Sequence, residues 1–237
     1  SVKAQARARL PALNIRSGER GLVFEVQEGA ETLTLRSQVI GQYNVLNLLE
    51  VIAAVRELGA SLQQALDACS VMAPVPGRME QVTALNAPLI AVDYSHTPDA
   101  LEKALQALRP LAEQRAGKLW CVFGCGGNRD AGKRPLMGRI AQTQADEVIV
   151  TSDNPRGEAP ETIIDDIVRG MAQSAHWHVQ VDRAAAIEDA VLRAAPLDVI
   201  LVAGKGHEDY QEIAGVKHPF LDTAQASAAL AKRKVQL

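Results

Sequence analysis

The feature that most constrains the fold is the stretch of residues 119–157, where two apolar runs each end in a specialised polar loop. The first run, 119–123, stops at the glycine loop 124–127, and a charged segment leads from there to Pro135. Proline suits the first turn of a helix, where its missing N–H has no intrahelical partner to lose. The second run, 148–150, ends in Thr-Ser-Asp-Asn-Pro-Arg. This strand–helix–strand pattern predicts a ligand site at the carboxyl edge of a parallel sheet.

The same alternation extends on both sides of this stretch. Apolar runs predict strands near residues 88–92, 118–123, 147–151, 178–181 and 198–203, and helical spacing predicts helices near 98–109, 133–144, 160–174, 184–195 and 222–233. Strands that are apolar throughout and separated by helices are typical of a doubly wound, mostly parallel α/β sheet. We also expect a short edge strand at 80–84 and a hairpin near 211–218.

The first part of the chain follows a different pattern. Alternating residues over 21–36 predict a β-hairpin, and the spacing from Gln42 predicts a helix that ends at Gly59. Ser61 is expected to cap a second helix that runs to about residue 71. Two prolines and a glycine in 73–77 indicate a linker. We therefore expect the tail of one domain in residues 1–76 and a complete second domain in residues 77–237.

Composition excludes several classes of protein. The 237 residues are 47% hydrophobic and 22% charged with a net charge of −3, which argues against disorder and against a nucleic-acid partner. No apolar run approaches the roughly 20 residues of a membrane span, and the first residues lack the pattern of a secretory signal. The chain starts with Ser, and we expect it to begin inside a longer protein. Three cysteines without a CxxC pair favour reduced thiols in a cytoplasmic protein, and no metal-ligand spacing is present.

The polar and glycine-rich clusters follow the ends of the predicted strands. They occupy residues 93–97, 124–127, 152–156 and 204–208. Because the carboxyl ends of parallel strands meet at one edge of a sheet, these four loops predict one composite site.

The glycine loop 124–127 can bring backbone N–H groups close to an anion, and the dipole of the next helix would add to the attraction. Glycines at such a turn serve tight packing equally well, and the loop is not a GxxxxGK[ST] phosphate-binding loop, a motif that occurs nowhere in the chain. The adjacent charges favour a binding function over packing, although a solvated charge run is also compatible with them: Arg129, Asp130, Lys133 and Arg134.

The segment 153–156, Asp-Asn-Pro-Arg, is more specific. Pro155 fixes the local backbone and restricts Asn154 to extended geometry, so the neighbouring side chains would point in set directions. The planar guanidinium of Arg156 suits a carboxylate, to which it can donate two parallel hydrogen bonds. The alternative is an ordinary turn before a helix that starts at Pro160, and we favour the binding function.

The segment 204–208, Gly-Lys-Gly-His-Glu, places three titratable side chains on a glycine-rich turn. Glu208 would suit a substrate ammonium and Lys205 an anion. His207 is expected either to orient the loop or to contact a ligand directly.

Four further residues are candidates with a plain structural alternative. In the loop 93–97, Thr97 is typical of a helix cap, while Asp93 and His96 can still face the site. Arg78, beside the linker, could reach a nucleotide or be an ordinary solvated charge. Asn44 lies near the start of the first helix, where an exposed asparagine is common.

Taken in order, these stretches resemble the Mur ligase family, in its UDP-N-acetylmuramoyl-tripeptide synthetase branch. The resemblance covers residues 41–211 and is carried by GQYNVLNLLEVIAA, PGRME, DYSHTPDALEKAL, WCVFGCGGNRDAGKRPLMG, SDNPR and AGKGHEDYQ. It implies that residues 1–76 end a central ATPase domain and that 77–237 form a C-terminal Rossmann-like domain. It also implies a cytoplasmic enzyme that uses ATP and Mg²⁺ to join an amino acid to UDP-N-acetylmuramoyl-L-alanyl-D-glutamate through an acyl phosphate.

The resemblance further implies roles for individual residues. The Asp-Asn-Pro-Arg segment marks meso-diaminopimelate, rather than lysine, as the amino acid. The residues that correspond to the amino-acid site are Arg129, Asp153, Asn154, Pro155, Arg156, Gly204 and Glu208. Those that correspond to the nucleotide side are Asn44, Arg78, Asp93 and His96.

The resemblance leaves parts of the enzyme outside this chain. The phosphate-binding loop, the main magnesium ligands and the UDP-binding domain are expected upstream of Ser1, so we expect no turnover by this chain alone and a hinge at residues 73–78. The alternatives are another ligase of the superfamily, such as the D-alanyl-D-alanine-adding enzyme or a folylpolyglutamate synthetase, and a binding module without ligase chemistry. The segments 153–156 and 204–208 argue against both of these other ligases.

Overall fold

The computed structural model describes residues 9–18, 21–174 and 176–235, and for residues 234 and 235 the backbone only. The chain forms two compact units, one ending at Pro74 and the other running from Val75 to Leu237. This division lies close to the boundary that the sequence predicts at residues 76 and 77.

The first unit combines a small antiparallel sheet with two helices. Its elements are β1 (Ala12–Gly18), β2 (Gly21–Glu28), β3 (Glu31–Arg36), α1 (Tyr43–Glu57) and α2 (Leu62–Ser70), with the strands in the order β1-β2-β3. Ser61 caps α2 as expected, because its hydroxyl accepts from the Gln64 N–H and the Gln64 side chain accepts from the Ser61 N–H. Apolar side chains of β2, β3 and both helices form the core of this unit.

β1 is a strand that the sequence pattern does not predict. Its residues are mostly exposed, with Leu13 at 40% and Ile15 at 42%, and its pairing with β2 shifts register between Leu13 and Arg16. A strand without a buried face, interrupted by a bulge, lacks the alternation that marks a strand in sequence.

The second unit is a doubly wound α/β structure, as predicted. Its elements are β4 (Glu80–Val82), β5 (Leu89–Asp93), α3 (Pro98–Gln114), β6 (Leu119–Phe123), α4 (Lys133–Gln144), β7 (Glu147–Val150), α5 (Pro160–Val168), β8 (Trp177–Val179), α6 (Arg183–Arg193), β9 (Val199–Ala203), β10 (Tyr210–Ile213), β11 (Val216–Pro219) and α7 (Asp222–Val235). The six-stranded sheet has the order β4-β5-β9-β6-β7-β8, and all its strands are parallel except the edge strand β4. β10 and β11 form the expected hairpin.

Helices cover both faces of this sheet. α6 and α7 pack on one face against an apolar cluster that includes Ile90, Val122 and Val202. α3, α4 and α5 contact the sheet and one another on the other side. β5, β6 and β9 are buried along their whole length, which explains their uninterrupted apolar sequences.

Two helix ends differ from the prediction. α3 continues through Pro110 to Gln114, although the sequence indicates an end at residue 109. Pro110 and Gln106 are exposed, so water can satisfy the carbonyl that loses its partner, while Leu111 and Ala112 are buried and hold the last turn. α5 ends at Val168 rather than at 174, and a Cβ on the following Gly170 would lie 1.9 Å from the Pro135 carbonyl oxygen.

A buried ion pair joins α6 and α7 to each other and to the carboxyl end of β9. Arg183, at the start of α6, donates from Nε and Nη2 to the two carboxylate oxygens of Asp222, each at 2.8 Å. Both side chains are fully buried. Arg183 Nη2 also donates to the Ala203 carbonyl at 3.0 Å, at the end of β9. The pair therefore anchors the strand end that leads into the loop 204–208.

We expect Asp222→Ala to lower the free energy of unfolding of this unit by about 3–5 kcal/mol, because it leaves the Arg183 charge buried without a counterion. Urea unfolding followed by tryptophan fluorescence measures this, since Trp120 and Trp177 both lie in the second unit. Glu188→Ala, which breaks the exposed pair with Lys232, is the control and should cost less than about 1 kcal/mol. Equal losses in the two variants would contradict the anchoring role.

Candidate functional site

The structure brings the four polar loops together at the carboxyl edge of the sheet. β5, β9, β6 and β7 are consecutive neighbours, so the loops that follow them are neighbours too. Backbone hydrogen bonds join them: Gly204 N–H donates to the Asp93 carbonyl at 3.1 Å, and Gly127 N–H donates to the Asn154 carbonyl at 2.9 Å. The composite arrangement that the sequence predicts is therefore present in the second unit.

The glycine loop lies directly against the loop that follows β7. A Cβ on Gly124 would lie 2.3 Å from the Thr151 carbonyl oxygen, and one on Gly127 would lie 1.9 Å from that of Pro155. Any side chain at either position would push the two loops apart. Close packing, the alternative that the sequence left open, thus accounts for these two glycines.

Gly126 has a different environment, because two arginines flank it. Its Cβ position is 2.8 Å from Arg156 Nη1 and 3.7 Å from Arg129 Cγ. The absence of a side chain there leaves room for the Arg156 guanidinium and for the aliphatic part of Arg129 beside the glycine loop. Arg129 is exposed, and among the described residues it has no carboxylate partner within ion-pair distance.

Arg156 has a left-handed backbone, with φ of +53°. Its N–H donates to the Glu212 carbonyl at 2.9 Å, and its own carbonyl accepts from Ala214 N–H at 2.7 Å. The guanidinium donates from Nη1 to the Gly127 carbonyl at 2.9 Å, and Nε lies 3.7 Å from a Glu212 carboxylate oxygen. The side chain is therefore fixed by contacts at two of its nitrogens and is about one-fifth exposed.

Asn154 is the junction of the site. Its amide oxygen accepts from Lys205 Nζ at 3.2 Å and from the Glu212 N–H at 2.9 Å, and its amide nitrogen donates to Glu208 Oε2 at 2.7 Å. Only 1% of Asn154 is exposed. The contacts link the loops after β7 and β9 with the hairpin β10–β11, and fix the position of the Glu208 carboxylate.

Lys205 is fully buried, which corrects the expectation that it meets an anionic ligand. Its ammonium donates to Asn154, to Glu208 Oε2 at 3.2 Å and to the Tyr210 carbonyl. These acceptors use all the donors that an ammonium group has. Lys205 therefore stabilises the loop and offsets the negative charge of Glu208.

Asp153 is buried beside this network. Burial raises the pKa of its carboxyl group, against the opposing effect of the Arg183 guanidinium and the Lys205 ammonium. One oxygen accepts from the Asn154 N–H, and the other lies 2.6 Å from the Cβ position of Gly204. Only a glycine at position 204 leaves space for this carboxylate. Pro155, between Asn154 and Arg156, is buried as well.

The charged residues after the glycine loop separate into different roles. Arg134 is 2% exposed and pairs with Glu158 at 2.9 Å and Asp166 at 2.8 Å, so it is a structural residue. Its hydrogen bond to Glu158 lowers the pKa of that carboxyl group. Lys133 donates to the His96 carbonyl at 2.6 Å, which joins α4 to the loop after β5.

A second group of predicted residues surrounds Tyr94. The Arg78 guanidinium lies 5.1 Å from the centre of the Tyr94 ring, and the rings of His96 and His207 lie 4.8 and 5.3 Å from it. The Tyr94 hydroxyl hydrogen-bonds to Glu208, and burial together with the Glu208 carboxylate raises the pKa of Tyr94. Tyr94 thus connects this group to Asn154 and Lys205.

Asp93 and Thr97 complete the loop after β5. Asp93 is buried and accepts from the Met79 N–H at 2.9 Å, which positions the segment next to Arg78. Thr97 caps α3 as expected, through a hydrogen bond from the Ala100 N–H.

Asn44 belongs to the first unit and forms local contacts there. Its amide nitrogen donates to the Ile40 carbonyl at 2.7 Å, and its amide oxygen accepts from Asn47 at 2.9 Å. These bonds fix the start of α1. The contact of Asn44 with a nucleotide stays a prediction.

Three residues that organise the site have no role predicted from the sequence. Tyr94, Arg183 and Gln211 are ordinary residues in sequence, and only their burial and partners reveal their roles. The described residues contain no group of three His, Cys, Asp or Glu side chains arranged to hold a metal ion. Among them no helix has the length and hydropathy of a membrane span.

Comparisons with known proteins agree with this architecture. The family model described as "Mur ligase, glutamate ligase domain" matches residues 77–206. The UDP-N-acetylmuramoyl-L-alanyl-D-glutamate--2,6-diaminopimelate ligase of Acidovorax sp. (strain JS42) is 61% identical over 233 residues, which are 98% of this chain and 46% of the relative. The ligase of the same name from Janthinobacterium sp. (strain Marseille) is 49% identical, over 96% of this chain and 45% of the relative.

A solved structure is also similar. It is titled as a UDP-N-acetylmuramoyl-L-alanyl-D-glutamate--2,6-diaminopimelate ligase and superposes with a TM-score of 0.77 at 38% identity, over 97% of this chain and 47% of that one. This chain therefore spans about half the length of the relatives it matches.

The buried carboxyl group of Asp153 generates a prediction about pH. Because its pKa is raised in the folded state, the folded protein binds this proton more tightly, and the stabilisation by the proton is lost as the pH rises from about 4, the ordinary value of aspartate. Asparagine does not titrate, so it does not share this loss. We therefore expect the free energy of unfolding of Asp153→Asn, minus that of the unsubstituted chain, to increase as the pH rises above about 4. Urea unfolding of both proteins at a series of pH values measures the difference, and a difference that is constant or falls with pH would contradict the prediction.

Proposed function

The chain belongs to the Mur ligase family, and on this basis we propose that it is the amino-acid-recognising, C-terminal part of an ATP-dependent ligase. The reaction that we propose joins meso-diaminopimelate to UDP-N-acetylmuramoyl-L-alanyl-D-glutamate. This is a cytoplasmic step in the synthesis of peptidoglycan precursors.

The observation that carries the proposal is the juxtaposition of two arginines with a prepositioned carboxylate. Arg129 and Arg156 flank Gly126, and Glu208 is held nearby by Asn154, which also accepts the Gly127 N–H. Meso-diaminopimelate is lysine with a second carboxylate at its far end. The arginines can pair with that carboxylate, and Glu208 suits the ammonium group beside it.

This arrangement also supports discrimination against lysine. Lysine has no carboxylate at its far end, so the guanidinium donors of Arg129, and those of Arg156 that do not contact Gly127 or Glu212, would lack the acceptor that meso-diaminopimelate provides. A site built to hydrogen-bond a polar group rejects the analogue that lacks it by a factor of about 10⁴ or more. The site residues in this proposal are Arg129, Asp153, Asn154, Pro155, Arg156, Gly204 and Glu208. Of these, Asp153, Asn154 and Gly204 shape the site.

In the proposed reaction the chain binds and orients the attacking amino acid. ATP phosphorylates the carboxylate of the UDP-linked substrate and leaves as ADP. The amine of diaminopimelate then attacks the acyl phosphate, and phosphate leaves as the amide bond forms. The sequence lacks a GxxxxGK[ST] loop, so we assign phosphoryl transfer to residues outside this chain. Mg²⁺ would serve that step, and we assign none of its ligands to the described residues.

The group around Tyr94 fits the nucleotide side of the reaction. Arg78 is exposed, and no acceptor for its guanidinium donors lies within hydrogen-bond distance among the described residues, so the group can meet a phosphate. His96 is exposed beside it, while Asp93 holds the backbone that carries Arg78. We propose that Arg78, Asp93 and His96 of the second unit contribute to ATP binding. Asn44, in the first unit, is a separate candidate for a contact with the nucleotide.

The proposal is tested in a hybrid ligase, in which this chain replaces the matching C-terminal segment of the Acidovorax relative. Phosphate release is measured with meso-diaminopimelate and with lysine, and calorimetric titration of the isolated chain with both amino acids accompanies it. We expect turnover with meso-diaminopimelate and a value of kcat/KM for lysine lower by about 10⁴. Equal use of the two amino acids would overturn the proposed specificity.

We expect Arg156→Ala in the hybrid ligase to raise the KM for meso-diaminopimelate by at least about 100-fold, since it removes a charged hydrogen-bonding partner of the far carboxylate. The KM values for ATP and the UDP-linked substrate should not change. Arg139→Ala is the matched control, because Arg139 lies exposed on α4 outside the site. Unchanged KM for meso-diaminopimelate in Arg156→Ala would refute the role of this arginine.

For the nucleotide side, we expect Arg78→Ala to raise the KM for ATP by about tenfold, the effect of losing one charged hydrogen bond. The KM for meso-diaminopimelate should stay the same. Arg78→Lys keeps the charge and should retain part of the affinity. An effect of Arg78→Ala on the amino acid alone would assign Arg78 to the other side of the site.

A further inference from the structure

The hairpin β10–β11 is bound to the loop after β7 by a continuous set of hydrogen bonds. Gln211 Nε2 donates to Ser152 Oγ at 2.9 Å and to the Asp153 carbonyl at 2.7 Å. The Glu212 N–H donates to the Asn154 amide oxygen. Successive residues of β10 thus follow successive residues of the loop.

The same hairpin holds the backbone of Arg156. Glu212 and Ala214 bond to the N–H and the carbonyl of Arg156, in a parallel bridge between Arg156 and Ile213. Arg156 has a positive φ, which is unfavourable for a residue with a side chain and persists where surrounding contacts impose it. The hairpin supplies those contacts on both sides of the residue.

Gln211 is the buried part of this attachment. It is 8% exposed, whereas the opposite strand β11 is exposed along its whole length. A glutamine side chain reaches both acceptors from one amide nitrogen, and a shorter or apolar side chain would leave the buried Asp153 carbonyl without a donor. Gln211 therefore contributes the buried side-chain bonds of the attachment, beside the bonds that Glu212 and Ala214 form through their backbone.

We propose that Gln211 is a positioning residue, which fixes the hairpin against the loop after β7 and so aims Arg156 at the far carboxylate of the amino acid. The inference rests on the proposed function. It extends the specificity determinants from residues 153–156 to a segment that lies 58 residues further along the chain. Selection between an amino acid with and one without the far carboxylate then depends on a residue that touches neither.

The test compares Gln211→Met in the hybrid ligase with the unsubstituted hybrid. Methionine keeps the length of the side chain and removes both donors. We expect the KM for meso-diaminopimelate to rise by about tenfold or more, because Arg156 loses its fixed position. The value of kcat at saturating meso-diaminopimelate should not change, and neither should kcat/KM for lysine, which does not use Arg156.

The matched control is His218→Met. His218 pairs with Gln211 across the hairpin, and its side chain is exposed. This substitution places the same side chain on the same hairpin without breaking the attachment, so all constants should match those of the unsubstituted hybrid.

The outcomes separate the inference from the proposed function. If the unsubstituted hybrid uses lysine as well as meso-diaminopimelate, the proposed function fails. If that hybrid prefers meso-diaminopimelate and Gln211→Met is equally selective, or loses activity with both amino acids alike, the positioning role is overturned and the proposed function stands. If Gln211→Met does not fold, as judged by circular dichroism, Ser152→Ala takes its place. That variant removes one acceptor of Gln211, and it should raise only the KM for meso-diaminopimelate, by a smaller factor; no rise would overturn the inference.

Discussion

The candidate site depends on the hydrogen bonds of one buried amide, that of Asn154. An asparagine offers a donor and an acceptor in one planar group, and here both are used: Lys205 and Glu212 donate to its oxygen, while its nitrogen donates to Glu208. The backbone of the same residue receives the glycine loop. Because the group is buried, losing any of these bonds would leave a polar atom without water or partner. These hydrogen bonds therefore fix the positions of the loops relative to one another without a ligand.

Much of the second unit follows from its sequence, for a physical reason. Strands such as β6 and β9 are buried on both faces and separated by helices, so their apolar runs are unmistakable. The departures occur where tertiary contacts override local preference. Buried Leu111 and Ala112 carry α3 past Pro110, and close packing against Pro135 ends α5 at Gly170. β1, which has no buried face, left no periodic signal at all.

The site was predictable to the level of its loops, and less so to the level of its contacts. Parallel-sheet geometry places the segments 93–97, 124–127, 152–156 and 204–208 side by side, and the structure agrees. Whether a charge is buried is not encoded locally, so Lys205 and Arg134 looked like ligand-binding cations until their partners were known. The hydrogen-bond partners of Gln211 and Arg183 are distant in sequence, and no sequence motif indicates these contacts.

The attachment of the hairpin to the loop after β7 has a consequence for how amino-acid preference can change during evolution. Residues 152–156 and 210–214 are joined by hydrogen bonds, although α5, β8, α6 and β9 lie between them in the sequence. If residues 152–156 alone were replaced by those of a homologue with another amino-acid preference, the new loop would lack its matching hydrogen-bond partners in residues 210–214. Such exchanges should succeed when both segments are inherited together, and a recombination point between them should be selected against.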